Sequence, residues 1–281
     1  MKTIKTLLAT IALLLCSETM NAHDFEVDGI YYNILSENNK TVEVTFEGDT
    51  YSSKANEYTD SVTIPQKVDY EGNEYAVTGI GTEAFRACFK LLSVNIPDGV
   101  VTIRERAFYE CRKLSFVVIP EGVTSIGSSA FSGCTSLASV VIPEGVTSIG
   151  ASAFKDCTSL ASVVIPEGVT RIGESAFSGC RSLTSVKSLS SEEPKIRTDL
   201  PYATFAYISA NAILYIPEGA SYPKWESYFS RVEYLSEEEI TGIEDVMPEV
   251  RKSVIYDING FRVKDPVKGG IYIIDGEKVK L

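Results

Sequence analysis

Hydrophobic positions recur along the centre of the chain with a fixed period of 23 residues. Two successive units, which begin at Ile119 and Ile142, read IPEGVTSIGSSAFSGCTSLASVV and IPEGVTSIGASAFKDCTSLASVV. A repeat of this length indicates a solenoid, because one unit cannot bury its apolar face without neighbours stacked on it. The shared positions include the Ile-Pro pairs at Ile96, Ile119, Ile142 and Ile165, and the phenylalanines Phe85, Phe108, Phe131, Phe154 and Phe177.

The pattern within one unit predicts a short strand followed by a short helical turn. Residues 139–142 are mostly β-branched and alternate, with Val140 and Ile142 on one face, as in a parallel strand. Pro143 ends the strand because it lacks a ladder donor. The spacing typical of one helical face then predicts a helical turn over 128–134, carried by Ile126, Ala130, Phe131, Cys134 and Leu137.

The units resemble the BspA-like leucine-rich repeats of bacterial surface proteins. The resemblance rests on Leu137, Val140 and Ile142, on the following Pro-Glu-Gly-Val, and on Ile149-Gly150-x-x-Ala153-Phe154, and it covers residues 62–235. It implies an α+β, mainly-β leucine-rich-repeat solenoid of 23-residue coils. It further implies a surface module of the adhesin type that binds protein or glycan ligands.

Both ends of the array depart from the template, as solenoid ends must, because their last apolar faces need covers. We predict an N-terminal β cap over 23–61, built on a hairpin within 24–47, and a second hairpin that protrudes near 70–73. At the other end, residues 220–229 resemble the capping helix of this family, which implies that Trp225 lies in the core.

Residues 236–246 form a predicted acidic linker, and residues 247–281 a small β tail. The segments 256–263 and 269–279 resemble the C-terminal sorting tail of the type IX secretion pathway in Bacteroidetes. Only the second half of such a tail is present, so a working sorting signal and a purely structural β unit remain alternatives.

The first 22 residues have the pattern of a secretory signal peptide: two early lysines, an apolar run over 7–15, and the small pair Asn21-Ala22. The apolar run is shorter than the ~20 residues of a membrane-spanning helix. Lipidation at Cys16 is the alternative, which the bulky Leu15 disfavours. We therefore expect a secreted or cell-surface protein without a transmembrane segment, with attachment to the outer membrane left open.

Composition and charge narrow the classes of partner. An apolar content of 44% indicates a folded chain, and a net charge of −12 without clusters of Lys or Arg argues against nucleic acid. The one histidine, His23, lies at the predicted mature N-terminus, where it cannot serve as an interior base. We therefore expect no catalytic residue, no metal site and no cofactor.

Five cysteines recur with the repeat and should form one column of neighbours ~5 Å apart. That spacing permits disulfides, but the residues face inward beside the Phe column, where thiols act as small hydrophobes. An odd number also leaves one thiol unpaired. We expect buried free thiols at Cys88, Cys111, Cys134, Cys157 and Cys180.

Residues that alternate with the core positions of each strand should form an outer grid. Its apolar members are Phe116, Val118, Val141 and Val164, which indicate either a contact surface or simply the preference of strands for β-branched residues. An acidic ladder borders the grid at Asp98, Glu121, Glu144 and Glu167, with Glu218 as a further candidate. It indicates either a surface for cations or basic partners or simply the solvated first residue of each turn. The coil from Ile96 diverges most from the template and supplies a second candidate cluster, Arg104, Arg106, Tyr109 and Arg112.

These observations favour a non-catalytic, exported, adhesin-like module that recognises an extracellular protein or glycan through a solenoid face. The alternative is a structural role at the cell surface, with self-association through the exposed Val strand face. An enzyme would need a pocket with convergent polar groups, which a Ser-Val-Pro grid does not supply.

Overall fold

The computed structural model describes residues 23–47 and 58–240, together with the backbone of three strands at 255–257, 271–274 and 277–280. The predicted signal peptide at 1–22, with Cys16, lies outside the described residues. So does most of the predicted tail.

Two sheets enclose one continuous core. Sheet I contains β1 Phe25–Val27, β2 Ile30–Ser36, β3 Thr41–Thr45, β5 Lys67–Tyr70, β6 Asn73–Ile80, β8 Thr102–Ile103, β10 Ser125–Ile126, β12 Ser148–Ile149 and β14 Arg171–Ile172. Sheet II contains β4 Asp60–Thr63, β7 Leu91–Asn95, β9 Phe116–Val118, β11 Ser139–Val141, β13 Ser162–Ile165, β15 Ser185–Ser188, β16 Ile213–Pro217 and β17 Arg231–Leu235.

Strand order follows the stacking of coils. Sheet I runs β1-β2-β3-β6-β8-β10-β12-β14, with β5 paired to β6, and sheet II runs β17-β16-β15-β13-β11-β9-β7-β4. In sheet II, Ser139 pairs with Ser162 and Val140 with Val163, so each residue pairs with its equivalent in the next repeat. The register confirms the stacked-coil solenoid predicted from the 23-residue period.

Each coil has two strands rather than the single strand that the sequence predicts. The additional strands, such as Ser125–Ile126, have two residues each, too few for alternation to be recognised in the sequence. They bury one isoleucine per coil, Ile126 and Ile149 among them, on the core side of sheet I.

The predicted helical turn over 128–134 is wrong. The backbone makes a series of tight turns in which Ser129 (φ 56°) and Gly133 (φ 76°) adopt left-handed conformations. The N–H groups of Ser129 and Phe131 donate to the carbonyls of Ala151 and Ala153 in the next coil, both at 2.8 Å. Because these donors bond between coils instead of to residue i−4, no α-helix forms.

Stacked aromatic rings run through the core. The Phe131 ring lies 5.0 Å from that of Phe108 and 5.3 Å from that of Phe154, with planes within 5° and 2° of parallel. Trp225, which is fully buried, covers the C-terminal end of the column at 4.9 Å from Phe205. Its indole Nε1–H donates to the Pro194 carbonyl at 3.1 Å, so the polar end of the ring is satisfied.

The N-terminal cover agrees with the predicted hairpins. Strands β2 and β3 pair antiparallel, as do β5 and β6 around the Glu71-Gly72 turn, and β3 then pairs in parallel with β6 to join the cap to the first coil. The C-terminal cover differs from the prediction. Residues 220–229 contain only a three-residue 3-10 helix, Glu226–Tyr228, and β17 extends sheet II beyond it.

After sheet II, the predicted acidic linker begins with one helical turn at 237–240. Ser236 and Glu239 cap this turn reciprocally: the Glu239 N–H donates to the Ser236 hydroxyl at 3.3 Å and the Ser236 N–H to the Glu239 carboxylate at 2.9 Å. Farther on, β18 Ile255–Asp257, β19 Ile271–Ile274 and β20 Glu277–Lys280 form an antiparallel sheet in the order β18-β19-β20.

Candidate binding surface

A row of valines forms the centre of the outer face of sheet II. Val118, Val141 and Val164 pair in register, and each is partly exposed. Their neighbours in sequence, such as Val140 and Val163, point into the core and are at most 6% exposed. We call this outward row, with its extensions at both ends, the valine column.

Polar and aromatic residues extend the valine column in both directions. Asn95 pairs with Val118 on one side, and Lys187 and then Tyr215 follow Val164 on the other. The Lys187 ammonium lies 5.6 Å from the centroid of the Tyr215 ring. At ~4.8 Å per strand, the column from Asn95 to Tyr215 is roughly 24 Å long.

Phe116, predicted to be on this outer grid, does not provide a contact surface, because only 6% of it is exposed. It pairs with Ser93 of β7, and Ser139 and Ser162, at the same position of later coils, are exposed. A phenyl ring gains free energy by covering apolar surface, whereas a serine hydroxyl does not. The alternation of residues along the strand therefore predicts correctly on which side of the strand Phe116 lies, but it does not predict how much of the side chain is exposed.

The predicted arginine cluster lies on the turns that follow β8 and not on the strand face, so the candidate residues divide into two groups. Arg104 donates to Glu43 of the N-terminal cap at 2.6 Å, and Arg106 lies 3.1 Å from Glu105. Arg112 pairs with Glu110 at 3.2 Å.

Aromatic rings complete the cluster. The Arg112 guanidinium covers Phe89 at 5.0 Å, and the Arg86 guanidinium covers Tyr109 at 5.1 Å. With carboxylate partners for Arg104, Arg106 and Arg112, the cluster is not a free cationic patch, and its exposed pairs add little stability.

The acidic ladder borders the valine column as the sequence predicts. Asp98, Glu121, Glu144 and Glu167 are all exposed and follow the proline that ends each sheet II strand. The border of the column is therefore negatively charged.

The five cysteines of the core are free and buried, which confirms the prediction and excludes the disulfide alternative in this structure. Each of four thiols donates to a phenylalanine carbonyl of the preceding coil; Cys134 Sγ, for example, lies 3.1 Å from the Phe108 oxygen. Burial raises the pKa of Cys111, Cys134 and Cys157, and raises that of Cys180 to about 12. These thiols are unreactive packing groups.

A groove on the sheet I side was not predicted from the sequence. It has a volume of about 960 Å³ and lies between the ends of β12 and β14 and the segment 195–199. Arg171 and Lys195 pair with each other in an isolated parallel bridge on its floor. The signal that could have revealed it is the change from Ser125 and Ser148 to Arg171 at the same repeat position.

Within 23–47 and 58–240, no group of three or more His, Cys, Asp or Glu side chains is placed to hold a metal ion. In the same part of the chain no helix has the length and apolar content needed to cross a membrane.

Comparison with known proteins identifies the repeats. Residues 78–210 match six copies of the family described as BspA type leucine rich repeat region. A leucine-rich repeat protein from Bacteroides ovatus is 31% identical with a TM-score of 0.52, over 75% of this chain and 53% of that protein. The T. pallidum leucine rich repeat protein is 25% identical with a TM-score of 0.52, over 76% and 83% of the two chains.

The chain thus spans about half the length of the B. ovatus protein. No curated protein matches the sequence. Leucine-rich repeats are typically non-catalytic scaffolds for protein binding or for structure. Residues 78–210 are therefore a BspA-type leucine-rich-repeat region within a mainly-β leucine-rich-repeat solenoid.

Proposed function

We propose that the protein is an exported, non-catalytic binding module of the adhesin type, which recognises an extracellular protein or glycan through the valine column. The observation that carries the proposal is the partial exposure of Val118, Val141 and Val164 in one register-matched row. The core does not need apolar residues there, because the inward positions of the same strands already supply its packing.

The composition of the valine column supports this function. Three valines occupy the centre, and Asn95, Lys187 and Tyr215 occupy the ends. Protein interfaces commonly have an apolar centre within a polar rim, and tyrosine is enriched in them.

The test measures binding of the purified protein to arrays of extracellular matrix proteins and glycans. A Val141→Glu, Val164→Glu double variant places two charges in the centre of the column and should weaken specific binding at least tenfold. The matched control is Ser136→Glu, Ser159→Glu, which adds the same charges at exposed turn positions of the same two coils.

Phe116→Ala is not a suitable probe, because Phe116 is 6% exposed and its truncation would disturb packing. If a ligand binds the double variant and the control equally well, the valine column is not the binding surface.

The same variants address the alternative of self-association. Sedimentation velocity at tens of micromolar distinguishes a monomer, as expected for a ligand-binding module, from an assembly. If the protein assembles and the Val141→Glu, Val164→Glu variant is monomeric, the column joins copies of this chain instead of binding a separate ligand.

Export is part of the proposal and rests on the signal-peptide pattern of residues 1–22 and on the tail over 247–281. Fusing 1–22 to a reporter should direct the reporter out of the cytoplasm. Fusing 241–281 to a periplasmic reporter tests sorting to the surface in a host with type IX secretion. A reporter that never reaches the surface would show that the tail is only a structural β unit.

A further inference from the structure

The groove on the sheet I side is a second candidate site, separate from the valine column. Its volume of about 960 Å³ lies within the usual range for small-molecule sites, ~300–1,000 Å³. Its floor is formed by the main chain at Gly150 and Gly173, where an added Cβ would lie 2.6 and 2.4 Å from atoms of the preceding coil. These glycines let the backbones of neighbouring coils approach closely along the groove.

The groove contains two cations without carboxylate partners. Among residues 23–47 and 58–240, neither Arg171 nor Lys195 forms an ion pair, although both are exposed. The third cation, Arg197, is neutralised by Glu174 at 3.0 Å and Asp199 at 2.8 Å. Because Arg171 and Lys195 pair across adjacent backbones, their Cα atoms are ~4.8 Å apart and both charges can reach one anionic group.

The two cations are a departure from the repeat template. The same outward position of sheet I holds Thr102, Ser125 and Ser148 in the earlier coils. From Thr102 to Lys195 along this row only Arg171 and Lys195 are charged, and both line the groove. The lining contains three cations and the two carboxylates Glu174 and Asp199, so it carries a net charge of +1 in a chain of net charge −12.

Hydroxyl groups surround the cations. Ser128, Ser148 and Thr198 line the groove, and no hydrogen bond of their side chains to another described residue is observed. Glu174 adds a carboxylate acceptor. This combination suits a ligand with many hydroxyl groups and an acidic group.

Apolar anchoring is weak in the groove. Ile149 and Ile172 contribute to its lining but are 1% and 2% exposed, so Ile196 is the one partly exposed large apolar side chain among its lining residues. Peptide ligands commonly gain affinity by burying apolar side chains in pockets, and this groove offers no such pocket.

We propose that the groove binds an acidic oligosaccharide, with Arg171 and Lys195 holding its carboxylate or sulfate group and the surrounding hydroxyls holding its ring hydroxyl groups. Guanidinium groups favour this role because they form paired hydrogen bonds with planar or multi-oxygen anions.

The test is titration calorimetry of the full chain with four probes: a chondroitin sulfate tetrasaccharide, tetragalacturonate, neutral maltotetraose and a tetraglutamate peptide. At least one acidic oligosaccharide should bind, and its affinity should fall as salt rises from 50 to 200 mM, because exposed charges are screened. The sulfated and carboxylated probes identify which anion is preferred. Maltotetraose should bind at least about tenfold more weakly.

An Arg171→Gln, Lys195→Gln variant should weaken binding of the acidic oligosaccharide at least about tenfold, the effect of losing about 1.4 kcal/mol. The matched control is Lys155→Gln, Arg181→Gln, which removes two exposed cations from the turns of neighbouring coils and should change affinity less than about twofold. Trp225 fluorescence melting checks that each variant is folded.

Three results would overturn the proposal: no binding of either acidic oligosaccharide, tetraglutamate binding as tightly as the sugar, or equal weakening by the control variant. The site is independent of the valine column. Val141→Glu, Val164→Glu should leave binding in the groove unchanged, so failure of one proposal is distinguishable from failure of the other.

Discussion

The aromatic column makes Phe131→Ala the most informative test of how the solenoid is held together. Phe131 is fully buried, and its ring stacks on Phe108 and Phe154 on opposite sides. Removing a buried phenyl ring costs ~3–5 kcal/mol, depending on how far the surroundings collapse into the space.

Collapse is restricted at this position. The Phe108 N–H donates to Ala130 and the Phe131 N–H to Ala153, at 2.7 and 2.8 Å, so hydrogen bonds between coils fix the spacing of the backbone. The rings of Phe108 and Phe154 therefore cannot approach each other to fill the space. We expect the free energy of unfolding to fall by an amount in the upper part of the range, about 4–5 kcal/mol. Phe131→Leu, which keeps most of the volume, should cost less than about 2 kcal/mol.

Urea unfolding measures this loss. With an m value of about 2–3 kcal/mol/M, the midpoint of Phe131→Ala should fall by roughly 1.5–2.5 M. The single tryptophan, Trp225, reports the C-terminal end of the column, and far-UV circular dichroism reports the whole solenoid. Amide exchange should accelerate in the coils on both sides of the substitution, because each coil stabilises its neighbours.

The control is Ser159→Ala, at an exposed turn position, which should stay within ~0.5 kcal/mol of the parent protein. If Phe131→Ala shifts the midpoint by no more than this control, the stacked rings are not the main source of stability and the reasoning fails.

Two further predictions follow from the packing of coils. In Gly150→Ala the new Cβ would lie 2.6 Å from backbone atoms of Gly127 and Ser128, so the free energy of unfolding should fall by about 3 kcal/mol. In the control Gly145→Ala the nearest contact would be at 3.1 Å, and the free energy of unfolding should fall by less than about 1 kcal/mol. Equal urea midpoints for the two variants would contradict the close approach of the coils at Gly150. Because burial raises the pKa of the Cys157 thiol above its unfolded value of ~8.5, the stability it contributes is complete below that pH and is lost as the pH rises toward the folded pKa. Between pH 8 and 10 the parent protein should therefore lose up to about 2 kcal/mol more than Cys157→Ala, as measured by urea midpoints, and parallel losses would argue against a raised thiol pKa.

The repeat itself determined most of the architecture. A constant 23-residue period leaves one register in which identical residues stack, so the partners of Val140, Phe131 and Cys134 in the neighbouring coils follow from counting. The inward or outward side of each sheet II strand also follows, because alternation in a strand has a period of two. The free thiols were predicted on the same basis, whereas the burial of Trp225 was predicted from the resemblance of 220–229 to the capping helix of the family.

Local conformation between the strands could not be predicted in this way. Inward residues at helical spacing suggested a helix over 128–134, but the same spacing arises when tight turns alternate between right-handed and left-handed residues. The deciding factor is where the backbone N–H groups find acceptors, and at Ser129 and Phe131 the acceptors belong to the next coil. Phe116 is a similar case, since its burial depends on neighbouring surface and not on its position in the strand.

The groove depends entirely on tertiary structure. Arg171 and Lys195 are separated by 24 residues rather than one repeat, because the coil that follows β15 is longer than the template, and counting by 23 no longer aligns them. The charges of Arg171 and Lys195 lie side by side because the backbones of their two coils pair. The ion pairs of Arg197 with Glu174 and Asp199 leave these two as the cations of the groove without a carboxylate partner among the described residues. The sequence therefore determined the coil, its core and the direction of its strands, because these depend on periodic burial. Folding decided the turns, the exposure of individual residues and the cationic groove, because these depend on contacts between coils whose residues do not share a repeat position.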